Sequence, residues 1–193
     1  MFENILSSKF YTVCNGLARL LVLTILFILF SLPIVTVGVS FVALITAIRQ
    51  PEYNTLTTFW QTFKENILRG SVVLIFTGFT VLFLAQFWQF SASIPAGNII
   101  FIFVLIFLIV YNLNAYLFVS ILKKSNLTFF RQVFFFTIGT LYKTFLVPII
   151  AFVFLFVAPI IGGYLLMALS VSMVLAIYVK IVAKDLETLE AYL

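Results

Sequence analysis

Three long stretches without a charged residue dominate the hydrophobic pattern of the chain. Residues 20–48, 70–122 and 144–179 hold no Asp, Glu, Lys or Arg. Crossing the hydrocarbon core of a bilayer takes about 20 apolar residues in a helix, and the helix satisfies its own backbone hydrogen bonds there. The pattern therefore predicts an all-α protein with several membrane-spanning helices.

Proline and glycine subdivide the two longer stretches. Pro95 and Gly97 lie within residues 91–98, and Pro159 shortly precedes Gly163. Both residue types favour turns. We therefore predict four membrane segments, at about 70–90, 99–122, 143–159 and 163–182.

The first stretch is too long for one upright crossing. Residues 20–48 would form a helix of about 43 Å, whereas the hydrocarbon core is about 30 Å thick. Pro33, Thr36 and Gly38 form a break motif. We predict a crossing at about 15–36 and a short segment at about 39–49, which either packs deep inside the bundle or enters and leaves on one side. A single kinked, tilted helix is the alternative.

An eight-residue pattern occurs twice, at an offset of 71 residues. Residues 56–63 and 127–134 share Leu, Thr, Phe, Gln and Phe at matching positions. Both copies have helical amphipathicity, which predicts elbow helices at about 55–68 and 126–138 on the membrane surface. The pattern indicates a parallel internal repeat, with chance matching as the alternative. The candidate elbow contacts, with the membrane alone or with a cytoplasmic partner, are Phe59, Trp60, Phe63, Phe130 and Phe134.

Composition and charge make the membrane interpretation firm. Hydrophobic residues are 64% and charged residues 9% of the chain, too few polar groups to coat a soluble globule. Basic residues lie in the 49–70 and 123–143 connections, whereas residues 91–98 and 159–163 carry no charge. The positive-inside rule then places the basic connections and the C-terminus in the cytoplasm, and the N-terminus as well if the first stretch forms a hairpin.

The predicted fold is thus an all-α polytopic membrane protein. It is a bundle of five or six membrane segments with two cytoplasmic amphipathic elbow helices, and residues 1–193 form a single transmembrane domain. The net charge of +5 fits an attraction to lipid headgroups and is no sign of nucleic-acid binding.

Residues that carry chemistry are scarce. The chain has no histidine, one cysteine, Cys14, and no charged residue inside its long apolar stretches. Proton-coupled transport, metal binding and acid–base catalysis need such groups. We therefore expect no enzyme activity, no catalytic residues, no metal and no cofactor.

Neutral polar and small residues are the remaining candidates. The intramembrane amides either hydrogen-bond between helices or line a solute path, and they are Gln86, Gln89, Asn112 and Asn114. Small residues at four-residue spacing suit close helix packing, within the chain or against another subunit. These residues are Ala43, Ala47, Ala168, Ser172 and Ala176.

The break motif carries a family resemblance. Residues 32–38, followed by a small-residue helix ending at Arg49, and residues 59–66 ahead of a crossing resemble the YesL-like family of bacterial membrane proteins. The family has no known function, but its genes often lie beside carbohydrate ABC-transporter permeases. The resemblance implies a multi-pass protein of the bacterial cytoplasmic membrane with a role in sugar uptake.

Two functional hypotheses follow. The first is a non-enzymatic accessory or regulatory subunit whose partners are membrane lipid and a carbohydrate ABC-transporter permease. The second is a small-solute transporter or channel that works alone, with the four amides along its path.

Overall fold

The computed structural model describes residues 2–51, 53–122 and 128–190, and it assigns helices and turns but no strand to them. Within these ranges, seven α-helices and one short 3-10 helix follow each other. They are α1 (Phe2–Phe30), the 3-10 helix (Ile34–Thr36), α2 (Val37–Arg49), α3 (Thr55–Glu65), α4 (Ile67–Ser91), α5 (Gly97–Ile121), α6 (Thr128–Thr144) and α7 (Leu146–Glu190). The protein is therefore all-α in the part that the structure describes.

Helices α4 and α5 form an antiparallel hairpin of two 25-residue helices, each long and apolar enough to cross a membrane. Arg69 contacts Leu122 at one end of the pair, and the Trp88 and Phe101 rings meet 4.9 Å apart near the other. The turn needs Gly97, because a Cβ there would collide with the backbone of Ser91. The helix limits lie within a few residues of the predicted segments 70–90 and 99–122.

The chain turns at the break motif. Helix α1 ends at Phe30, Pro33 has extended backbone dihedrals, and the 3-10 helix follows. The hydroxyl of Thr36 donates hydrogen bonds to the carbonyl oxygens of Phe30, at 2.6 Å, and Pro33, at 2.7 Å. These bonds close the turn, so α1 and α2 are two helices with a defined corner between them.

Helix α2 lies across one end of the α4–α5 pair. At its start, Gly38 meets Gly70 so closely that a Cβ on Gly70 would lie 2.7 Å from the Cα of Val39. At its end, the Nη1 of Arg49 donates to the Oγ of Ser120 at 3.4 Å. Both contacts lie near Arg69 and Leu122, and we call this end of the α4–α5 pair the basic end. Helix α2 is thus a buried short helix that stays at the basic end.

Helix α7 is assigned as one 45-residue helix, although we predicted an interruption at residues 159–163. It would be about 67 Å long if straight. However, the Nζ of Lys143 lies 2.7 Å from the Oδ1 of Asp185. The two residues flank almost the whole helix, so α7 must fold back on itself. Gly163, with a φ of +66°, is where the backbone leaves helical geometry.

The junction before α7 also differs from the prediction. Helix α6 continues to Thr144, past the predicted elbow limit of 138, and residues 126 and 127 lie outside the described residues. Helix α6 and residues Leu146–Val157 meet at a bend of 65°. Taken together, they are long and apolar enough for one broken membrane span or a re-entrant loop. The predicted segment 143–159 therefore begins at this bend.

The described residues hold fewer candidate spans than the five or six predicted. Three helices are long and apolar enough to cross, namely Val13–Phe30 within α1, α4 and α5, and the bent pair would make a fourth. Helix α2 accounts for one missing segment, because its 13 residues are too few for a crossing and are mostly buried in protein. The other is the segment predicted at 163–182, which lies within α7 and is not among these candidate spans.

Helices α3 and α6 share the phase of their buried faces. Thr58, Thr62 and Asn66 are buried at the first copy of the repeated pattern. Phe129, Val133 and Thr137 are buried at the second copy, and each lies 71 residues after its counterpart. Three buried positions thus repeat at the offset of the sequence match, whereas Phe63 is buried and its counterpart Phe134 is 43% exposed.

Candidate functional site: a polar recess at the basic end

A polar recess of about 600 Å³ opens at the basic end of the bundle. It lies between the end of α2, the polar face of α3, the start of α4 and the end of α5. Its lining is rich in hydroxyl and amide side chains. The lining residues are Thr46, Gln50, Tyr53, Thr58, Gln61, Thr62, Glu65, Asn66, Arg69 and residues 119–122.

Local sequence features of α3 position one wall of the recess. Asn54 caps the helix, since its side chain accepts a hydrogen bond of 3.2 Å from the backbone N–H of Leu56. Phe59 and Phe63 are buried on the apolar face. The opposite face carries polar side chains, among them Gln61, into the recess. Amphipathicity thus fixes which side of α3 lines the site.

Asn66 joins the wall to the next helix. Its Nδ2 donates a hydrogen bond of 3.0 Å to the backbone carbonyl oxygen of Thr62. The backbone carbonyl oxygen of Asn66 accepts a hydrogen bond of 2.8 Å from the backbone N–H of Gly70. The side chain is buried. The bonds hold α3 and α4 at a fixed angle, with Arg69 beside the recess.

Arginine side chains tie the helix ends together around the recess. The Nη1 of Arg69 donates to the carbonyl oxygen of Leu122 at 3.1 Å, next to the bond between Arg49 and Ser120. The Nη2 of Arg19 donates to the carbonyl oxygen of Gln50 at 3.0 Å. Cations near helix C-termini are favourable because the terminal carbonyls carry partial negative charge. The recess therefore has a positively charged edge, and Glu65 is the one carboxylate among the described residues that line it.

Sequence reasoning did not identify this recess. The basic residues of the 49–70 connection, with Arg49 and Arg69 among them, were interpreted only as markers of orientation. The available signal was the polar face of α3, with Thr58 and Gln61 on it. The contribution of α5 could not be read from the chain, because residues 119–122 lie far from α3 in sequence.

The two asparagines of α5 each bond to neighbouring helices, but to different ones. The Oδ1 of Asn112 accepts from the hydroxyl of Thr77 on α4 at 2.8 Å. Asn114 is fully buried, donates to the Oγ1 of Thr137 on α6 at 2.9 Å, and accepts from the hydroxyl of Tyr178 on α7. Asn114 therefore joins three helices at one point.

The glutamines of α4 lie elsewhere. Gln86 and Gln89 are exposed near the end of α4 that is opposite to Arg69. Asn112 and Asn114 are near the basic half of α5 and face different helices. The structure thus does not bring the four amides together into one lining.

The small residues of α2 pack inside the chain. Ala43 and Ala47 are fully buried. In α7, the Oγ of Ser172 lies 2.8 Å from the Oγ1 of Thr24 on α1, and Ala176 is half-buried. The side chain of Ala168 lies outside the described residues.

The elbow aromatics of α3 all pack against Phe30, and Trp60, whose ring lies 5.4 Å from that of Phe30, is also partly exposed. The rings of Phe59 and Phe63 lie 5.6 and 5.0 Å from that of Phe30 on α1. Trp60 is 44% exposed, and the Nζ of Lys64 lies 4.5 Å above its ring. The outer face of α3 therefore presents an exposed aromatic and a cation side by side.

The elbow aromatics of α6 are less buried. Phe130 packs against Phe76 with ring centroids 5.2 Å apart, and Phe134 packs against Phe107 at 6.0 Å. Phe134 is 43% exposed.

Within the described ranges, no three His, Cys, Asp or Glu residues lie close enough to hold a metal ion.

Comparison with known families adds one match to this geometry. Residues 17–88 match the family model described as "Protein of unknown function, DUF624". YesL-like proteins belong to that family, which agrees with the resemblance noted in the sequence. The matched residues run from α1 to α4 and include the break motif, the Gly38–Gly70 contact and most of the recess lining. No curated protein and no solved structure matches the chain.

Proposed function

We propose that this chain is a non-enzymatic accessory or regulatory subunit of a bacterial cytoplasmic membrane, and that it binds the permease of a carbohydrate ABC transporter. The observation that carries the proposal is the use of the intramembrane asparagines. Asn112 and Asn114 bond to neighbouring helices, so these amides stabilise the bundle. This use of the amides supports a role through the surfaces of the bundle over a role as a solute path lined by them.

The outer face of α3 is the contact we assign to the partner. Trp60 is exposed beside Lys64, whereas its neighbours Phe59 and Phe63 are buried and hold the helix in place. Partly exposed tryptophans are frequent anchors of protein interfaces. The link to sugar uptake comes from the YesL-like resemblance, which agrees with the family match.

Co-purification tests the proposal. The tagged full chain is purified in mild detergent from native membranes, and retained proteins are quantified by mass spectrometry against an untagged control. We expect enrichment of a carbohydrate permease, with a lower yield for Trp60→Ala. Phe135→Ala, which removes an exposed aromatic from α6, is the matched control and should retain the permease. Failure of the wild-type chain to enrich any permease would contradict the proposal.

A further inference from the structure

A cavity of about 300 Å³ lies between α4, α5 and the start of α2, and we call it the α4–α5 groove. Its walls are mostly apolar, and the described residues that line it include no charged side chain. Val81 is 60% exposed and Ile109 is 36% exposed, and both belong to candidate membrane spans. The groove therefore opens sideways toward the hydrocarbon of the bilayer.

Helix α2 closes the groove on the side of the basic end. Val37 and Phe41 line it there, and the ring of Phe41 stacks on that of Tyr116 with the centroids 5.5 Å apart. Tyr116 and Thr80 are buried in the walls. Protein thus encloses the groove from α2, α4 and α5, and lipid meets it on the open side.

Three polar side chains meet in the wall of the groove. The hydroxyl of Thr77 lies 2.8 Å from the Oδ1 of Asn112 and 3.1 Å from the hydroxyl of Tyr116. The Nδ2 of Asn112 donates a hydrogen bond of 2.8 Å to the carbonyl oxygen of Leu108. A side-chain amide has two N–H donors and an oxygen that accepts two bonds. Within the part of the chain that the structure describes, one N–H and one acceptor position of Asn112 therefore remain for an occupant of the groove.

These polar groups lie deep in the membrane. Thr77 follows the first residue of α4, Ile67, by ten positions, and Asn112 precedes the last residue of α5, Ile121, by nine. Both are therefore about 14–15 Å from the basic end, near the middle of a hydrocarbon core about 30 Å thick. A phospholipid keeps its charged headgroup at the membrane surface, and a charge at this depth would find no counter-charge in the groove. The occupant that fits is therefore uncharged.

The remaining groups of Asn112 discriminate between uncharged ligands. A hydroxyl group both donates and accepts, so one hydroxyl can bond to the N–H and to the Oδ1 of the amide. A carbonyl or ether oxygen only accepts, and it would leave the remaining acceptor position unused. A volume of about 300 Å³ lies at the lower end of small-molecule sites, which suits one hydrocarbon chain.

We propose that the α4–α5 groove binds a neutral lipid alcohol with a single hydrocarbon chain. The hydroxyl bonds to Asn112, and the chain runs away from the closed end, along Leu84 and Leu108. The groove does not include the outer face of α3. The lipid site is therefore independent of the permease contact proposed above, and either proposal can fail without the other.

Photolabelling of the full chain in phosphatidylcholine vesicles tests the site. The probe is a dodecanol derivative with a diazirine in its chain, and labelled residues are located by mass spectrometry. We expect label on residues 74–84 and 108–116, and we expect dodecanol to displace it. Dodecane should need an about tenfold higher concentration, because the hydrogen bonds of the hydroxyl are lost. Equal displacement by dodecane and dodecanol would overturn the proposal.

A third competitor tests the hydrogen bond that the ligand donates. The compound 1-methoxydodecane accepts a hydrogen bond but has no hydroxyl proton. We expect it to displace the label less well than dodecanol and better than dodecane. Displacement as strong as that by dodecanol would contradict the bond to the Oδ1 of Asn112.

Matched variants separate the polar contact from the apolar one. Asn112→Leu should reduce the displaceable label about tenfold, whereas Gln89→Leu, which removes an exposed amide near the other end of α4, should leave it unchanged. Val81→Phe fills the groove without changing the polar side chains, and it should abolish the label. Val72→Phe, at an exposed position of α4 outside the groove, should retain it. Unchanged label in both Asn112→Leu and Val81→Phe would refute the lipid site.

A cysteine at the open side tests for a second copy of the chain as the occupant. Val81→Cys is introduced in a Cys14→Ser background and oxidised in the same vesicles. We expect little disulfide-linked dimer, because lipid covers the groove. Efficient dimer formation together with an unlabelled groove would assign this face to contact between copies and refute the proposal.

Discussion

The contact between α2 and α4 makes a sharp prediction at Gly70. A Cβ placed on Gly70 would lie 2.7 Å from the Cα and 2.9 Å from the backbone N of Val39, and one on Gly38 would lie 2.8 Å from the Cβ of Leu74. Backbone atoms cannot rotate away, so Gly70→Ala must push α2 and α4 apart. Overpacking of this kind costs about 1–3 kcal/mol.

Gly78 on the same helix is the matched control, because a Cβ there meets nothing within 4 Å. Alanine gains about 1 kcal/mol over glycine in helix propensity at either site. This gain cancels in the comparison, so Gly70→Ala should be less stable than Gly78→Ala by about 1–3 kcal/mol.

Thermal unfolding of the purified chain in one detergent measures the difference. A chain of this size loses about 2–4 °C of midpoint temperature per kcal/mol. The two variants and the wild type are heated in parallel, and helicity and monodispersity are followed together. If Gly70→Ala melts at the temperature of Gly78→Ala, the close crossing of α2 and α4 is wrong.

Two further predictions concern the packing of α7. Asn114→Leu should destabilise the bundle by about 1–2 kcal/mol, since Tyr178 loses its buried acceptor. Adding Tyr178→Phe to this variant should restore part of the lost stability. Additive losses in thermal unfolding would contradict a hydrogen bond shared by the two residues. In a Cys14→Ser background, Lys143→Cys and Asp185→Cys should be joined by a short thiol cross-linker, because α7 folds back. A straight α7 would keep the two cysteines about 60 Å apart and prevent the cross-link.

The hairpin of α4 and α5 shows what local sequence signals can predict. The charge-free run sets the length of two crossings, and Pro95 and Gly97 set the turn between them. Both signals act over a few residues. Their agreement with the helix limits therefore needs no knowledge of the rest of the fold.

Helix α2 shows where such signals stop. The sequence of an apolar segment is the same whether lipid or protein surrounds it. Residues 39–49 therefore did not indicate whether the segment packs inside the bundle, enters and leaves on one side, or continues a single kinked helix. The choice depends on the contact of Gly38 with Gly70, which lies on another helix. In α7, Pro159 and Gly163 were together interpreted as an interruption, and the backbone leaves helical geometry at Gly163, within the predicted residues 159–163.

The polar recess depended even more on tertiary structure. Its lining comes from four helices. The sequence of each helix does not indicate which distant segment of the chain lies opposite it. Thr58 and Gln61 are ordinary polar residues of an amphipathic helix. They become part of a site only because the ends of α2 and α5 lie opposite them.

Solute flux in liposomes tests the central proposal most directly, namely that Asn112 and Asn114 hold the helices together and that the chain transports no solute by itself. The purified chain is reconstituted alone, and the entry of labelled sugars and small ions is measured against protein-free liposomes. We predict equal flux in both preparations, for the wild type and for Asn112→Leu. Saturable flux through the wild type that Asn112→Leu abolishes would contradict the account.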